Sequence, residues 1–137
     1  MNGRSRAEAL ADVWECLTET ARSADAHVRG TDSWVPPAEE ELVRAAGASG
    51  LRRWCPWTSH NHLCFADGFP FWEPDADDDC RELPGSISFD KGGPDGSPVF
   101  RVRSGLRMRT SAPVLVLTTP DASAAVEALV GLLEREP

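Results

Sequence analysis

Apolar residues recur at steps of three and four through residues 6–28. Leu10, Val13, Trp14, Leu17, Ala21, Ala24 and Val28 fall on one stripe, which predicts an amphipathic helix. Gly30 and the turn-forming run Thr31-Asp32-Ser33 mark its end. A second helix is predicted in "WVPPAEEELVRAAGASG". Its prolines pre-set the entry, Glu39 to Glu41 suit the positive N-terminal end, and Gly47 or Gly50 stops it. Leu42, Val43 and Ala46 give this helix a narrow apolar edge.

Beyond residue 50 the pattern turns from helical to alternating. "HLCFA" reads as a strand with Leu63 and Phe65 on one face and His62 and Cys64 on the other. Residues 66–85 combine Pro and Gly with the acidic run "EPDADDDCRE" and read as a loop. "SISFD" is a further strand, with Ile87 and Phe89 pointing one way, and "KGGPDGSP" is turn chemistry. "VFRVRSGLRMR" reads as a hairpin about Ser104-Gly105, and "APVLVLTT" as a more fully buried strand. A last helix spans 120–135, with Thr119 as its cap and Ala125, Val126, Leu129, Val130 and Leu133 as its buried stripe. Helices, then strands, then a helix, without βαβ alternation, define an α+β fold. An antiparallel sheet of about four to five strands packs against the N-terminal and C-terminal helices. One domain covers 1–137: a helical part (6–49), a sheet (50–118) holding the acidic loop 73–82, and a closing helix (119–135).

Composition narrows the function. The 137 residues carry a formal net charge of −8, which argues against a general nucleic-acid binder, because neutralising phosphates needs a basic face. No signal-like or membrane-spanning apolar run is present, so a cytoplasmic protein without a membrane partner is expected. Cys16, Cys55, Cys64 and Cys80 show no CxxC spacing. They read as free thiols, Cys16 and Cys64 acting as small apolar residues.

The window "CPWTSHNHLCF" concentrates candidate chemistry. His60-x-His62-x-Cys64 offers zinc-type ligands on alternate positions, yet a closed ligand set is lacking, so no metal and no cofactor is expected. Ser59 and His60 are adjacent, and their side chains diverge in an extended chain, which disfavours a nucleophile–base pair. His60 alone keeps a pKa suited to proton transfer near neutrality. Trp54, Trp57 and Trp72 belong to a chain with five Trp and no Tyr, and serve either an interaction surface or the helix–sheet seam. Arg101, Arg103, Arg107 and Arg109 flank the Ser104-Gly105 turn. A two-residue loop sends them to opposite faces, whereas a three-residue loop gathers all four on one. The bland reading of the window is an aromatic, hydrogen-bonding loop that leads into the strand at Leu63.

The run "LRRWCPWTSHNHLCF" and the later "TTPDASAAVEALVGLL" resemble a family of actinobacterial natural-product biosynthesis proteins. There a Pro-x-Thr-Ser-His stretch precedes an apolar strand, and an alanine-valine-rich helix closes the chain. The resemblance covers residues 42–135, and Pro56, Thr58, Ser59 and His60 match its stretch. It is similar to the small dimeric proteins that form the lysinoalanine bridge of cinnamycin- and duramycin-type lanthipeptides. What the resemblance implies is a homodimer that binds and orients a modified precursor peptide for amine addition to a dehydroamino acid. His60 is the candidate for proton transfer. Trp57, Thr58, Ser59, Asn61, Arg101 and Arg103 are the candidate peptide contacts. The rival expectation is a non-catalytic peptide- or protein-binding module acting in recognition, immunity or as an adaptor.

Overall fold

Each strand pairs antiparallel with the next one in the chain, giving a five-stranded sheet in the order β1-β2-β3-β4-β5. The strands are β1 (Cys55–Ser59), β2 (His62–Asp67), β3 (Arg81–Asp90), β4 (Val99–Ser104) and β5 (Val114–Thr119). The helices are α1 (Arg6–Val28), α2 (Glu40–Gly47) and α3 (Ala122–Arg135), with a 3₁₀ turn at Gly50–Arg53. This is a computed structural model, and it describes residues 5–28, 40–59, 62–70, 73, 76–90, 98–105 and 114–135. The α+β class and the placing of helices at both ends of the chain agree with the sequence pattern. No helix among the described residues is long and apolar enough to cross a membrane. The predicted stop at Gly30 and the Pro36-Pro37 entry lie outside the described residues.

One face of the sheet carries the core. Leu63, Ile87, Val102 and Leu117 stand opposite one another across β2 to β5, and Phe89 pairs with Phe100. These side chains bury against Trp14 of α1, Leu42 and Ala46 of α2, and Ala125, Val126 and Leu129 of α3. The stripes expected for α2 and α3 are therefore the ones that bury. At the α3 N-terminus Asp121, not Thr119, is the cap. Asp121 Oδ1 accepts the Ser123 N–H at 3.0 Å, while Thr119 Oγ1 accepts the Asp121 N–H at 3.1 Å.

Two side-chain contacts fix the helices to the sheet. The Trp14 ring is 1% exposed and lies 6.1 Å from that of Phe65, and its indole N–H donates to the Trp54 carbonyl at 3.0 Å. The second contact is made where no side chain exists. A Cβ at Gly85 of β3 would sit 2.5 Å from Leu129 Cδ1, so glycine is what lets α3 approach this strand.

Four expectations need correction. Residues 55–59 are not a loop but β1, paired with β2 from Cys55↔Ala66 to Ser59↔His62. His60 and Asn61, between that last pair, lie outside the described residues. β3 begins at Arg81 rather than at Ser86. Its first half tolerates Pro84 because the register against β2 shifts there, so the missing N–H removes no regular ladder bond. The Ser104-Gly105 hairpin is not formed along β4. Arg103 pairs with Ser86 on one side and Leu115 on the other, leaving both edges of β4 occupied. Arg107 and Arg109 lie outside the described residues. Finally, β5 is an exposed edge, with Val114 65%, Leu115 52% and Val116 48% accessible. A continuous apolar run indicates burial on both faces only for an interior strand.

Gly85→Ala is expected to lower stability by about 1–3 kcal/mol, measured by urea unfolding. The Gly85→Ala/Leu129→Ala double variant should lose less than the sum of the single variants, because the added methyl fills the space vacated. Strictly additive losses would show that the two positions do not touch.

Candidate functional site

The sheet face that turns Cys64, Ser86 and Ser88 outward carries several of the residues singled out in the sequence, and at its β1 end Trp57 packs against the cluster that includes Ala9 of α1. Cross-strand pairing runs Trp57–Cys64–Ser86–Arg103–Leu115 in one row. The adjacent row includes His62–Ser88–Arg101. Trp57, Arg101 and Arg103 therefore share a face, and the middle of both rows is built from small side chains. Cys64 (1% exposed), Ser86 (0%) and Ser88 (5%) leave room for long side chains to lie over them. Thr58 does not join this group, since it pairs with Leu63 on the core side. The Ser59 backbone pairs with His62 at the end of β1. His60 and Asn61 have no described position.

The two arginines are held differently. Arg101 Nη1 donates to Asp90 Oδ2 in a close ion pair, which compensates its charge. Arg103 Nη1 instead donates to the neutral Ser88 Oγ at 2.5 Å. Among the described residues no carboxylate pairs with Arg103, so its positive charge is oriented by a hydroxyl without being neutralised. Ser86 Oγ lies in the same floor, buried and without a hydrogen-bond partner among the described residues. Sequence reasoning placed the arginines as contacts, but Ser88 gave no signal, because an isolated serine in a strand looks like any outward polar residue.

The acidic loop has a structural tie that sequence did not reveal. Asp77 and Phe69 bond reciprocally: Asp77 Oδ2 accepts the Phe69 N–H at 2.8 Å, and the Asp77 N–H donates to the Phe69 carbonyl at 2.9 Å. Arg6 of α1 then donates to both Asp77 carboxylate oxygens at 3.0 Å and stacks over the Phe69 ring at 5.0 Å. The Phe69 N–H first, and the Arg6 guanidinium second, hold the Asp77 carboxyl below its ordinary pKa. Gly68, with a φ of 103°, makes the turn into this clasp. The run of acidic residues at 73–82 thus includes one that anchors the loop to α1.

A cavity of about 130 Å³ opens beside the clasp, lined by Arg6, Leu10, Arg53, Cys55 and Phe69 among others. Burial, and then the neighbouring Glu73, push its Cys55 thiol up to about 12, which disfavours the thiolate. The Cys80 thiol is raised as well, again by burial first and then by Asp77. Cys64 is buried, as expected, whereas Cys16 is exposed and does not serve as an apolar core residue. No group of three or more His, Cys, Asp and Glu side chains could hold a metal ion among the described residues.

Fold and site together define an α+β protein whose sheet carries Arg101 and Arg103 on the face turned away from Leu63, Ile87 and Val102. No protein-family model, curated protein or solved structure matches the chain.

Two outcomes follow from these contacts. Because the folded Asp77 pKa is depressed, its stabilising contribution is present above the unfolded carboxyl's value and lost as pH falls through the folded one. Asp77→Asn should therefore unfold at a lower temperature than the parent at pH 7, the gap closing as the pH is taken below about 4. Brief treatment with a thiol reagent at pH 8, followed by peptide mass mapping, should modify Cys16 in the folded protein. Cys55 and Cys64 should be modified only after unfolding.

Proposed function

We propose that this protein binds and orients a modified precursor peptide in the maturation of lanthipeptide-type natural products. The observation that carries the reading is Arg103: a half-buried guanidinium, aimed by Ser88 Oγ, with no carboxylate partner among the described residues. It lies on the same sheet face as Trp57 and Arg101. A carboxylate or carbonyl-rich peptide segment supplies what this guanidinium lacks, and the Trp57 ring supplies rigid apolar area. Of the Pro56, Thr58, Ser59 and His60 stretch that carries the family resemblance, Pro56, Thr58 and Ser59 belong to β1, the strand that also carries Trp57.

In this reading the chemistry is addition of a lysine amine to a dehydroalanine. The amine nitrogen bonds to the alkene Cβ, the π electrons take a proton at Cα, and the ammonium gives up a proton, so mass is unchanged. Holding the two groups in attack geometry is worth about 7–11 kcal/mol of barrier in favourable cases. His60 is the candidate to carry the proton, a role worth about 10²–10⁴ in rate. A non-catalytic peptide- or protein-binding module is the second reading, favoured by the exposed apolar residues Val114, Leu115 and Val116.

Incubating a dehydroalanine-containing precursor with and without the protein separates the readings. Thiol trapping of unreacted dehydroalanine, with fragmentation of the product, is the readout that an isobaric step requires. The maturation reading expects loss of trapping in the presence of protein. It also expects at least a tenfold slower loss for His60→Ala and weaker peptide binding for Arg103→Ala. Equal trapping with and without protein, while the peptide still binds, leaves the binding-module reading standing. Unchanged binding by Arg103→Ala overturns the site.

A further inference from the structure

The cavity beside the Asp77 clasp is lined by two opposite charges, Arg53 and Asp67, that do not pair with each other. Arg53 ends the 3₁₀ turn ahead of β1, and its guanidinium lies over the Trp54 ring at 4.7 Å. Stacking uses the face of the guanidinium and leaves its N–H groups without an acceptor among the described residues. This platform is fixed, because the Trp54 carbonyl accepts the Trp14 indole N–H. Asp67 ends β2, where Arg81 donates to its Oδ2 at 3.3 Å. Nothing among the described residues donates to the Asp67 Oδ1. Arg6, the third charged residue of the lining, is already matched by Asp77. The lining also includes Leu10, Cys55 and Phe69, which belong to one apolar cluster.

We propose that this cavity binds a free amino acid with an apolar side chain. A simple carboxylate would satisfy Arg53 and be repelled by Asp67, and a simple amine would meet the reverse. A zwitterion carries both signs on one carbon. Its carboxylate takes the Arg53 N–H groups and its ammonium the Asp67 carboxylate, each as a charge-assisted hydrogen bond. Volume sets the side chain. The cavity holds about 130 Å³, against ~150 Å³ for one that accepts a benzene ring. It therefore takes one ring or one short branched chain, of phenylalanine or leucine size. Glycine would leave the apolar lining uncovered, and a dipeptide would set its two charges one residue further apart. Net charge agrees. A chain at −8 repels a simple anion over most of its surface, whereas a zwitterion is neutral. Occupation joins α1, the turn before β1 and the end of β2 through one ligand, so it stabilises the folded chain. The proposal stands on this cavity alone and does not draw on the peptide reading above.

Titration of the full chain with L-leucine and L-phenylalanine, followed in amide NMR spectra, tests it. Shifts should saturate and centre on residues 6–10, 53–55 and 67–69. Leucinamide and N-acetyl-leucine, which lack the ammonium's partner charge or the ammonium itself, should bind about tenfold more weakly. Glycine, which lacks the side chain, should weaken by about as much. Arg53→Gln should bind leucine and leucinamide alike, and Asp67→Asn leucine and N-acetyl-leucine alike, since each variant removes the group that tells the pair apart. Ala7→Leu, on the exposed first turn of α1, should weaken leucine by filling the cavity while both charges remain. If a variant does not fold, by circular dichroism, the ligand series on the parent decides. No shifts at millimolar leucine, or glycine binding as tightly as leucine, would overturn the proposal. So would an Arg53→Gln that still prefers leucine to leucinamide, or acetate that saturates the same shifts, because the cavity would then be a simple anion site.

Discussion

The hydrogen bond from the Trp14 indole to the Trp54 carbonyl settles where α1 meets the sheet, and much of the molecule follows from it. A buried indole N–H without an acceptor costs about 1–3 kcal/mol, so the ring is admitted to the core only at a place where a carbonyl is waiting. That place is the residue before β1. Once Trp14 is seated against Phe65, the first turns of α1 lie along the start of β1, where Ala9 packs with Cys55, Ala66 and Phe69. Arg6 then falls within reach of Asp77, and the acidic loop is tied down. One indole thus links helix, edge strand and loop, and decides which edge of the sheet is closed.

Much of the fold was legible in the sequence, because the signals responsible are local. The 3.6-residue stripes of α1, α2 and α3, and the alternation through Leu63 and Phe65 and through Ile87 and Phe89, depend only on neighbours along the chain. What the sequence misassigned depends on neighbours across the sheet. Cys55 to Ser59 has Pro, Trp and Ser in the proportions of a loop, and it is a strand because β2 pairs with it along its whole length. Val114 to Thr119 has the composition of an interior strand, and it lies at an edge because no sixth strand follows among the described residues. Pro84 was a natural stop signal, and the shifted register around Phe65 removed its force. In each case periodicity gave the type of element correctly or nearly so, while the pairing decided its place.

The candidate site was legible as a set of residue types and not as a geometry. Trp57, Arg101 and Arg103 do share a face, because their pairing partners Cys64, Ser86 and Ser88 bring them into two adjacent rows. Thr58 belongs to the other face by the same rule that puts Trp57 on this one. What sequence could not distinguish is the state of the two arginines. They are two residues apart on one strand and identical in type, yet Asp90 neutralises one while Ser88 merely orients the other. The distinction arises two positions along β3 from the residue opposite each arginine, where Arg101 meets the Asp90 carboxylate and Arg103 the Ser88 hydroxyl.

The same logic accounts for the small, buried floor of that face. Bulky apolar residues at 64, 86 and 88 would have given the sheet two hydrophobic faces and required a second layer of helices. Cysteine and serine instead let the side chains of β4 lie over the sheet, so that Arg103 reaches Ser88 two positions away on the neighbouring strand. The guanidinium is thereby held in one direction by a single hydrogen bond, and among the described residues no other acceptor takes its remaining donors. An arginine paired with a carboxylate serves mainly stability, whereas one aimed by a hydroxyl retains both its charge and most of its hydrogen-bonding capacity. The outward face is therefore organised around Arg103 rather than around the histidines whose spacing first drew notice.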